Sequence, residues 1–235
     1  MENPPPSDIF SRAHLSQDGF FWWHILGLLV LIAAGGLFLG MAEDFVFGDQ
    51  ITLVDAQLAG WFHAHATPPF TQFMLVVSSL QGILAMSIYA LLFGIFMLRK
   101  KQRYWLLALV VAVPGGMLLN VFMKQIFNRA RPGFTDPLVT LTTYSFPSGH
   151  VAGATLFYGV LAAYLIAHMS KLRWRLAVVG TAILLVALVA LSRLYLGAHY
   201  LSDVLGAAAE GVAWLALCLT ITHILWQRRA ARLTP

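Results

Sequence analysis

Six apolar runs, at about 21–41, 72–98, 104–127, 149–168, 176–194 and 201–226, constrain this chain more than any other feature. Each is close to or above the ~20 residues that a helix needs to cross a hydrocarbon core. The sequence therefore predicts an all-α polytopic membrane protein with about six transmembrane helices. Composition points the same way: with 59% hydrophobic and 11% charged residues and a mean hydropathy of +0.76, the chain cannot be a soluble domain of ordinary make-up.

Six runs in 235 residues leave room for one domain. We expect a single transmembrane domain over 21–226, a cytoplasmic N-terminal arm at 1–20 and a basic cytoplasmic tail at 227–235. The first run is too long, and too far from the start, to be a cleaved signal peptide, so it is read as retained. The single cysteine, Cys218, lies inside the last run and has no partner for an internal disulfide. The net charge of +5 is explained by topology and not by nucleic acid. Arg99-Lys100-Lys101-Gln102-Arg103, Lys171-Leu172-Arg173-Trp174-Arg175 and Arg228-Arg229-Ala230-Ala231-Arg232 follow the second, fourth and sixth runs. All three clusters fall on one side, which the positive-inside rule makes cytoplasmic. Both termini are then inside, and the loops at about 42–71 and 128–148 face outward. In the first of these, an interfacial helix from about Thr52 to Ala64 is expected, with Leu53, Leu58, Trp61 and Phe62 sharing an apolar face.

Polar residues gather in three clusters near the outward ends of the spans. In "KQIFNRARP", Lys124 and Arg131 are seven apart and share a face on a helix that persists this far, and the helix should end at Arg131-Pro132. In "YSFPSGHVAG", Ser148 reads as an N-cap, and Gly149 lets backbone approach a ligand closely. The free amides of the next helix then form an anion site next to His150. In "SRLYLGAHYLSD", Arg193 precedes His199 and Asp203, which are four apart and meet on one helical face, where a carboxylate orients and activates an imidazole.

Taken singly, each cluster fits a structural role: snorkelling cations, an ordinary cap, a structural hydrogen bond. Together they bring Lys124, Arg131, His150, Arg193, His199 and Asp203 from four spans to one membrane face, where ionisable groups are costly. Three cations, two histidines, one carboxylate and a helix N-terminus describe a site for a phosphoryl group.

The pattern Lys-x6-Arg-Pro, Pro-Ser-Gly-His, Ser-Arg-x5-His-x3-Asp, complete and in order from Lys124 to Asp203, resembles the tripartite signature of the type 2 phosphatidic acid phosphatase (PAP2) superfamily. That superfamily also includes vanadium haloperoxidases and glucose-6-phosphatase. The six-span layout is similar to its bacterial integral-membrane lipid phosphatase branch. The resemblance implies a helical haloperoxidase-like core, with His199 attacking phosphorus to form a phosphohistidine and Asp203 orienting it. His150 would protonate the leaving oxygen and then activate water, while Lys124, Arg131, Ser148, Gly149 and Arg193 hold the phosphate oxygens. No metal and no cofactor are implied.

The expected function is hydrolysis of a lipid phosphomonoester or pyrophosphate at the extracytoplasmic face of a bacterial cytoplasmic membrane. Undecaprenyl pyrophosphate, phosphatidylglycerophosphate, phosphatidic acid and lipid A phosphates all fit. The partners are then the lipid substrate and the bilayer, with no nucleic acid and no prediction of oligomeric state. A lipid phosphotransferase with the same intermediate is an alternative, as is a transporter that uses the charges as relays. Outside the signature, His24 reads as an aromatic-belt anchor beside Trp22 and Trp23, while His63 and His65 stand on the outward side without forming a ligand pair. Asp136 reads as a solvated loop acid, and Glu210 as an intramembrane acid whose partner is not evident. Pro114-Gly115-Gly116 suggests a kink or close packing in the third span.

Overall fold

The structure, a computed structural model, describes residues 17–48 and 50–231. Most of the arm expected over 1–20, and the end of the tail at 232–235, lie outside the described residues. The described residues form eight helices: α1 (Gln17–Phe47), α2 (Gln50–Ala64), α3 (Pro68–Leu80), α4 (Ile83–Arg99), α5 (Arg103–Phe127), α6 (Gly149–Ala167), α7 (Leu172–Tyr195) and α8 (Leu201–Ala231). Five of them, α1 counted from His24, are long and apolar enough to cross a membrane, and α3 with α4 makes a sixth, bent by 44°. The protein is all-α and multi-pass, as the apolar runs require.

The 72–98 run, expected as one span, is broken at Gln81-Gly82. The Gln81 backbone N–H closes α3 on Ser78 O at 3.2 Å, and its side-chain amide donates to the Tyr158 hydroxyl of α6 at 2.8 Å. Irregular backbone at membrane depth survives where neighbouring protein satisfies it; here α3 does so, with the Gly82 N–H also reaching Ser79 O at 3.1 Å, while α6 holds the Gln81 side chain. A Cβ at Gly82 would sit 3.3 Å from Ser79 O and 3.9 Å from His150 Nε2, so the break brings bare backbone up to the histidine.

Helix α6 is the axis of the bundle, packed by α5, α7 and α8, while α1 runs along α8. Its buried face joins Leu156, Phe157 and Val160 to Met86, Leu109, Val113 and Cys218. Helices in lipid gain little from hydrophobic burial and must pack closely instead. At Gly116 a Cβ would lie 2.5 Å from Leu156 Cδ1 and 2.8 Å from Trp214 Cδ1, so Pro114-Gly115-Gly116 serves close packing within a continuous α5. Ile83, Leu84 and Leu118, at 72–76% exposure, point outward, as lipid-facing side chains should.

Helix α2 forms where expected, and the stripe it buries carries an acid. Leu53 and Trp61 are exposed, and Asp55 and Ala59 are buried. A helical period places Asp55 and Ala59 on one stripe, and the carboxylate wins the inward position because a cation is waiting there.

Candidate active site

Helix α5 stops at Phe127, four residues before Arg131, because Asn128 takes a left-handed conformation (φ 48°, ψ 30°) and its N–H caps Lys124 O at 3.1 Å. Lys124 and Arg131 therefore do not share a helical face, contrary to expectation; the chain beyond α5 folds back and brings them together on one carbonyl, that of Tyr144. Lys124 Nζ donates to Tyr144 O at 2.8 Å and Ser145 O at 3.2 Å. Arg131 donates to Thr143 O at 2.7 Å, Thr143 Oγ1 at 2.9 Å, Tyr144 O at 3.1 Å and Ala198 O at 2.5 Å. The loop at 128–148 is thus pinned over the segment that carries His199.

His199 and Asp203 also meet in a way the spacing did not anticipate. His199 precedes α8, which begins at Leu201, so the pair is not on one helical face. Asp203 instead sits in the first turn of α8 and accepts the Tyr200 backbone N–H on Oδ2 at 2.8 Å, a capping contact favoured by the positive end of the helix. The Ser145 hydroxyl donates to the same oxygen. His199 Nδ1 lies 3.5 Å from Asp203 Oδ2 and 3.4 Å from Ser145 Oγ. On the other side of the ring, Nε2 is 3.1 Å from Arg131 Nη1. A guanidinium can only donate, so Nε2 is the unprotonated nitrogen and Nδ1 carries the hydrogen towards the carboxylate. This tautomer puts the ring's lone pair on Nε2, where it accepts from Arg131. Burial holds the imidazole well below its usual basicity, with Asp203 pulling the other way, and so favours the neutral ring.

At the start of α6, Ser148 has the extended N-cap backbone (φ −70°, ψ 114°), but its hydroxyl makes no cap. It is buried and has no hydrogen-bond partner, a free donor beside the helix amides. The Ser148 N–H reaches Asp203 O at 3.1 Å, which ties α6 to α8. A Cβ at Gly149 would approach Asn120 Oδ1 to 3.4 Å and Lys124 Cε to 4.0 Å, so glycine keeps the α5–α6 approach open. Arg193, 3% exposed near the end of α7, donates through Nη1 to the Ser78 hydroxyl of α3, and its Nε has no partner. Arg193, His199, Arg131 and Lys124 all lie within electrostatic range of His150. The eight signature residues therefore converge at one end of the bundle.

Two residues of this end were missed by the sequence reading. Arg129 donates to Asp203 Oδ1 and Ser202 Oγ, each at 2.6 Å, and to Asp55 Oδ2 at 2.7 Å. Asp55 also accepts the Ser202 backbone N–H at 3.0 Å and the Ser202 hydroxyl. The available signal was an acid in an otherwise apolar helix, "TLVDAQLAGWF", which needs a buried cation to justify it.

The remaining polar residues find structural partners. Glu210 accepts a hydrogen bond from Asn120 Nδ2 at 2.8 Å. His63 pairs with Asp136 at 2.9 Å and stacks on Phe134, which ties α2 to the loop. The His63 contact draws the exposed Asp136 carboxyl below its usual pKa. His65 stacks on Trp61, and the His24 ring lies 5.9 Å from that of His223 on α8. An apolar cavity of about 390 Å³ runs between α4 and α5, from Leu98 and Leu106 at one end to Gly149 and His150 at the other.

Comparison with known proteins bears on the same segment. The family model of the PAP2 superfamily matches residues 103–227. Phosphatidylglycerophosphatase B of Bacillus subtilis (strain 168) is 38% identical over 120 residues, 51% of this chain and 58% of that protein, so the match spans little more than half of its length. Probable lipid phosphate phosphatase beta of Arabidopsis thaliana is 27% identical over 189 residues, 71% of this chain and 88% of the relative. Among solved structures, a transmembrane PAP2 type phosphatidylglycerolphosphate phosphatase from Bacillus subtilis matches with a TM-score of 0.73 at 25% identity, over 84% of this chain and 96% of that one. LpxE from Aquifex aeolicus shares the fold, with a TM-score of 0.56 at 23% identity, over 73% of this chain and 95% of its own.

Proposed function

We propose that this chain, which belongs to the PAP2 superfamily, is a membrane lipid phosphatase using His199 as its nucleophile. The observation that carries this reading is the His199 ring itself. Its Nδ1 faces a buried carboxylate, its Nε2 lone pair faces the Arg131 guanidinium, and Arg193 is the next cation in electrostatic reach of the ring.

Arg131, which holds Nε2 in the resting site, turns to the incoming phosphate oxygens and frees the lone pair. Nε2 then forms a bond to phosphorus as the bond from phosphorus to the lipid oxygen breaks. The leaving oxygen takes a proton from His150, and Asp203 stabilises the positive charge that develops on the ring. Arg131, Lys124, Arg193, Ser148 Oγ and the first amides of α6, Gly149 included, neutralise the equatorial oxygens. In the second step His150 takes a proton from water, whose oxygen attacks phosphorus and releases His199.

The lipid character of the substrate rests on the apolar cavity that ends at His150, which fits an acyl or prenyl tail, and on the names of the relatives. A phosphatidylglycerophosphate or another lipid mono- or diphosphate fits both. The described residues of the three basic clusters stand at the opposite ends of the spans, Arg99 ending α4, Arg103 opening α5, Arg173 and Arg175 near the start of α7 and Arg228 near the end of α8, so the positive-inside rule turns the site to the extracytoplasmic face of a cytoplasmic membrane, with both termini inside.

The test is phosphate release by the purified protein across a panel of lipid phosphates and diphosphates, run beside His199→Ala. We expect release from at least one lipid and none from the variant. Near-normal turnover by a folded His199→Ala protein would sink the mechanism, and transfer of phosphate to a lipid acceptor in place of water would make the enzyme a phosphotransferase.

A further inference from the structure

The first hundred residues carry none of the signature and precede the segment that matches the family, yet one of their side chains enters the site. Asp55 is 1% exposed. It reaches Asp203 by two routes: through Arg129, which bridges the two carboxylates, and through Ser202, the residue next to Asp203. The guanidinium is held between rings, 4.7 Å from the centre of Phe45 on α1 and 4.5 Å from that of Tyr200.

We propose that Asp55 and Arg129 are positioning residues for the His199–Asp203 pair, so that α2 completes a site whose signature lies wholly in the second half of the chain. Two physical arguments support this, both resting on the reading of His199 as nucleophile. The first is orientation. A carboxylate is planar, so holding Asp203 Oδ1 on Arg129 fixes where Oδ2 points. That oxygen is the one that faces His199 Nδ1.

The second argument is charge. Asp55, Arg129 and Asp203 together carry one net negative charge, and their side chains are at least nine-tenths buried. An Arg129–Asp203 pair alone would be neutral. The imidazole gains positive charge as Nε2 bonds to phosphorus, and it is Asp55 that leaves the buried group with a countercharge at that moment. The effect belongs to the transition state more than to substrate binding, so it should appear in kcat.

The experiment uses the full-length protein in detergent, with the best lipid substrate of the panel. The variants are Asp55→Asn, Arg129→Gln and the double variant, compared with His199→Ala. Asp55→Asn keeps the shape and should lower kcat by about 10- to 100-fold, as loss of an outer-shell partner commonly does, with KM within about two-fold. The buried net charge is −1 in wild type, 0 in Asp55→Asn, −2 in Arg129→Gln and −1 again in the double variant. The double variant should therefore lose less kcat than the product of the two single losses.

If Arg129→Gln fails to fold, the Asp55→Asn split between kcat and KM still decides. A wild-type kcat for folded Asp55→Asn, a loss confined to KM, or single losses that multiply in a folded double variant would overturn the proposal. His199→Ala separates the two readings. If it is active, the nucleophile assignment falls; if it is inactive while Asp55→Asn is normal, only the role of Asp55 falls.

Discussion

Gly206, on α8, offers a test of how tightly the wall of the site is held. A Cβ there would lie 2.6 Å from Phe146 Cε2 and 2.8 Å from Cζ, close to an ångström inside ordinary contact. Phe146 cannot easily withdraw: it is fully buried and packed by the rings of Phe38, Phe45 and Phe127 at 4.9–5.4 Å. Only Pro147 separates it from Ser148, so any shift is passed to the start of α6. Overpacking a rigid site costs ~1–3 kcal/mol, and replacing a helical glycine by alanine returns at most ~1 kcal/mol. The steric cost wins, so Gly206→Ala should destabilise by a net ~1–2 kcal/mol, lowering the melting temperature in detergent by ~2–8 °C for a chain of this size. The displaced Ser148 and His150 should cut kcat/KM by ~10–100-fold. Gly180→Ala is the control. Nothing lies within 4 Å of a Cβ there, so the propensity gain should raise the melting temperature by up to ~4 °C. Equal melting shifts and equal turnover for the two variants would refute the reasoning.

Ser148→Ala removes a buried hydroxyl with no partner inside the protein. Stability should hold or rise slightly, while kcat/KM falls by ~10–100-fold, the worth of a hydrogen bond to a charged group; a large drop in melting temperature with normal kinetics would contradict this. Because burial depresses the basicity of His199, its ring stays neutral to lower pH than a free histidine. The acid limb of kcat/KM, corrected for ionisation of the substrate, should then fall below pH ~6.5. The sign for folding follows: below that value the unfolded chain binds a proton that the folded ring resists, so the stability present above pH ~6.5 is lost as pH falls. A His199-dependent limb above pH 7 would overturn the assignment. Histidine chemistry also predicts turnover that survives chelators and is blocked by vanadate, a mimic of five-coordinate phosphorus; strict dependence on added magnesium would count against it.

Sequence by itself determined the class of fold and the residue types at the site. Apolar runs of about twenty residues leave the backbone of each span to bond within itself, so composition suffices for helices. The three clusters are legible because titratable groups beside a membrane stand out against apolar neighbours. Only the tertiary structure decided how those groups meet. The 72–98 run breaks at Gln81-Gly82, where the backbone N–H groups close on Ser78 and Ser79 and Tyr158 holds the Gln81 side chain. Lys124 and Arg131 converge through a loop, after Asn128 ends the helix early. His199 stands before α8, and Asp203 meets it from the first turn. Asp55 and Arg129, 74 residues apart, form an ion pair that no helical period could announce. Periodicity reports what a helix shows to its surroundings, whereas a buried charge is placed by the partner that makes its burial affordable, and that partner is chosen by the packing of the whole bundle.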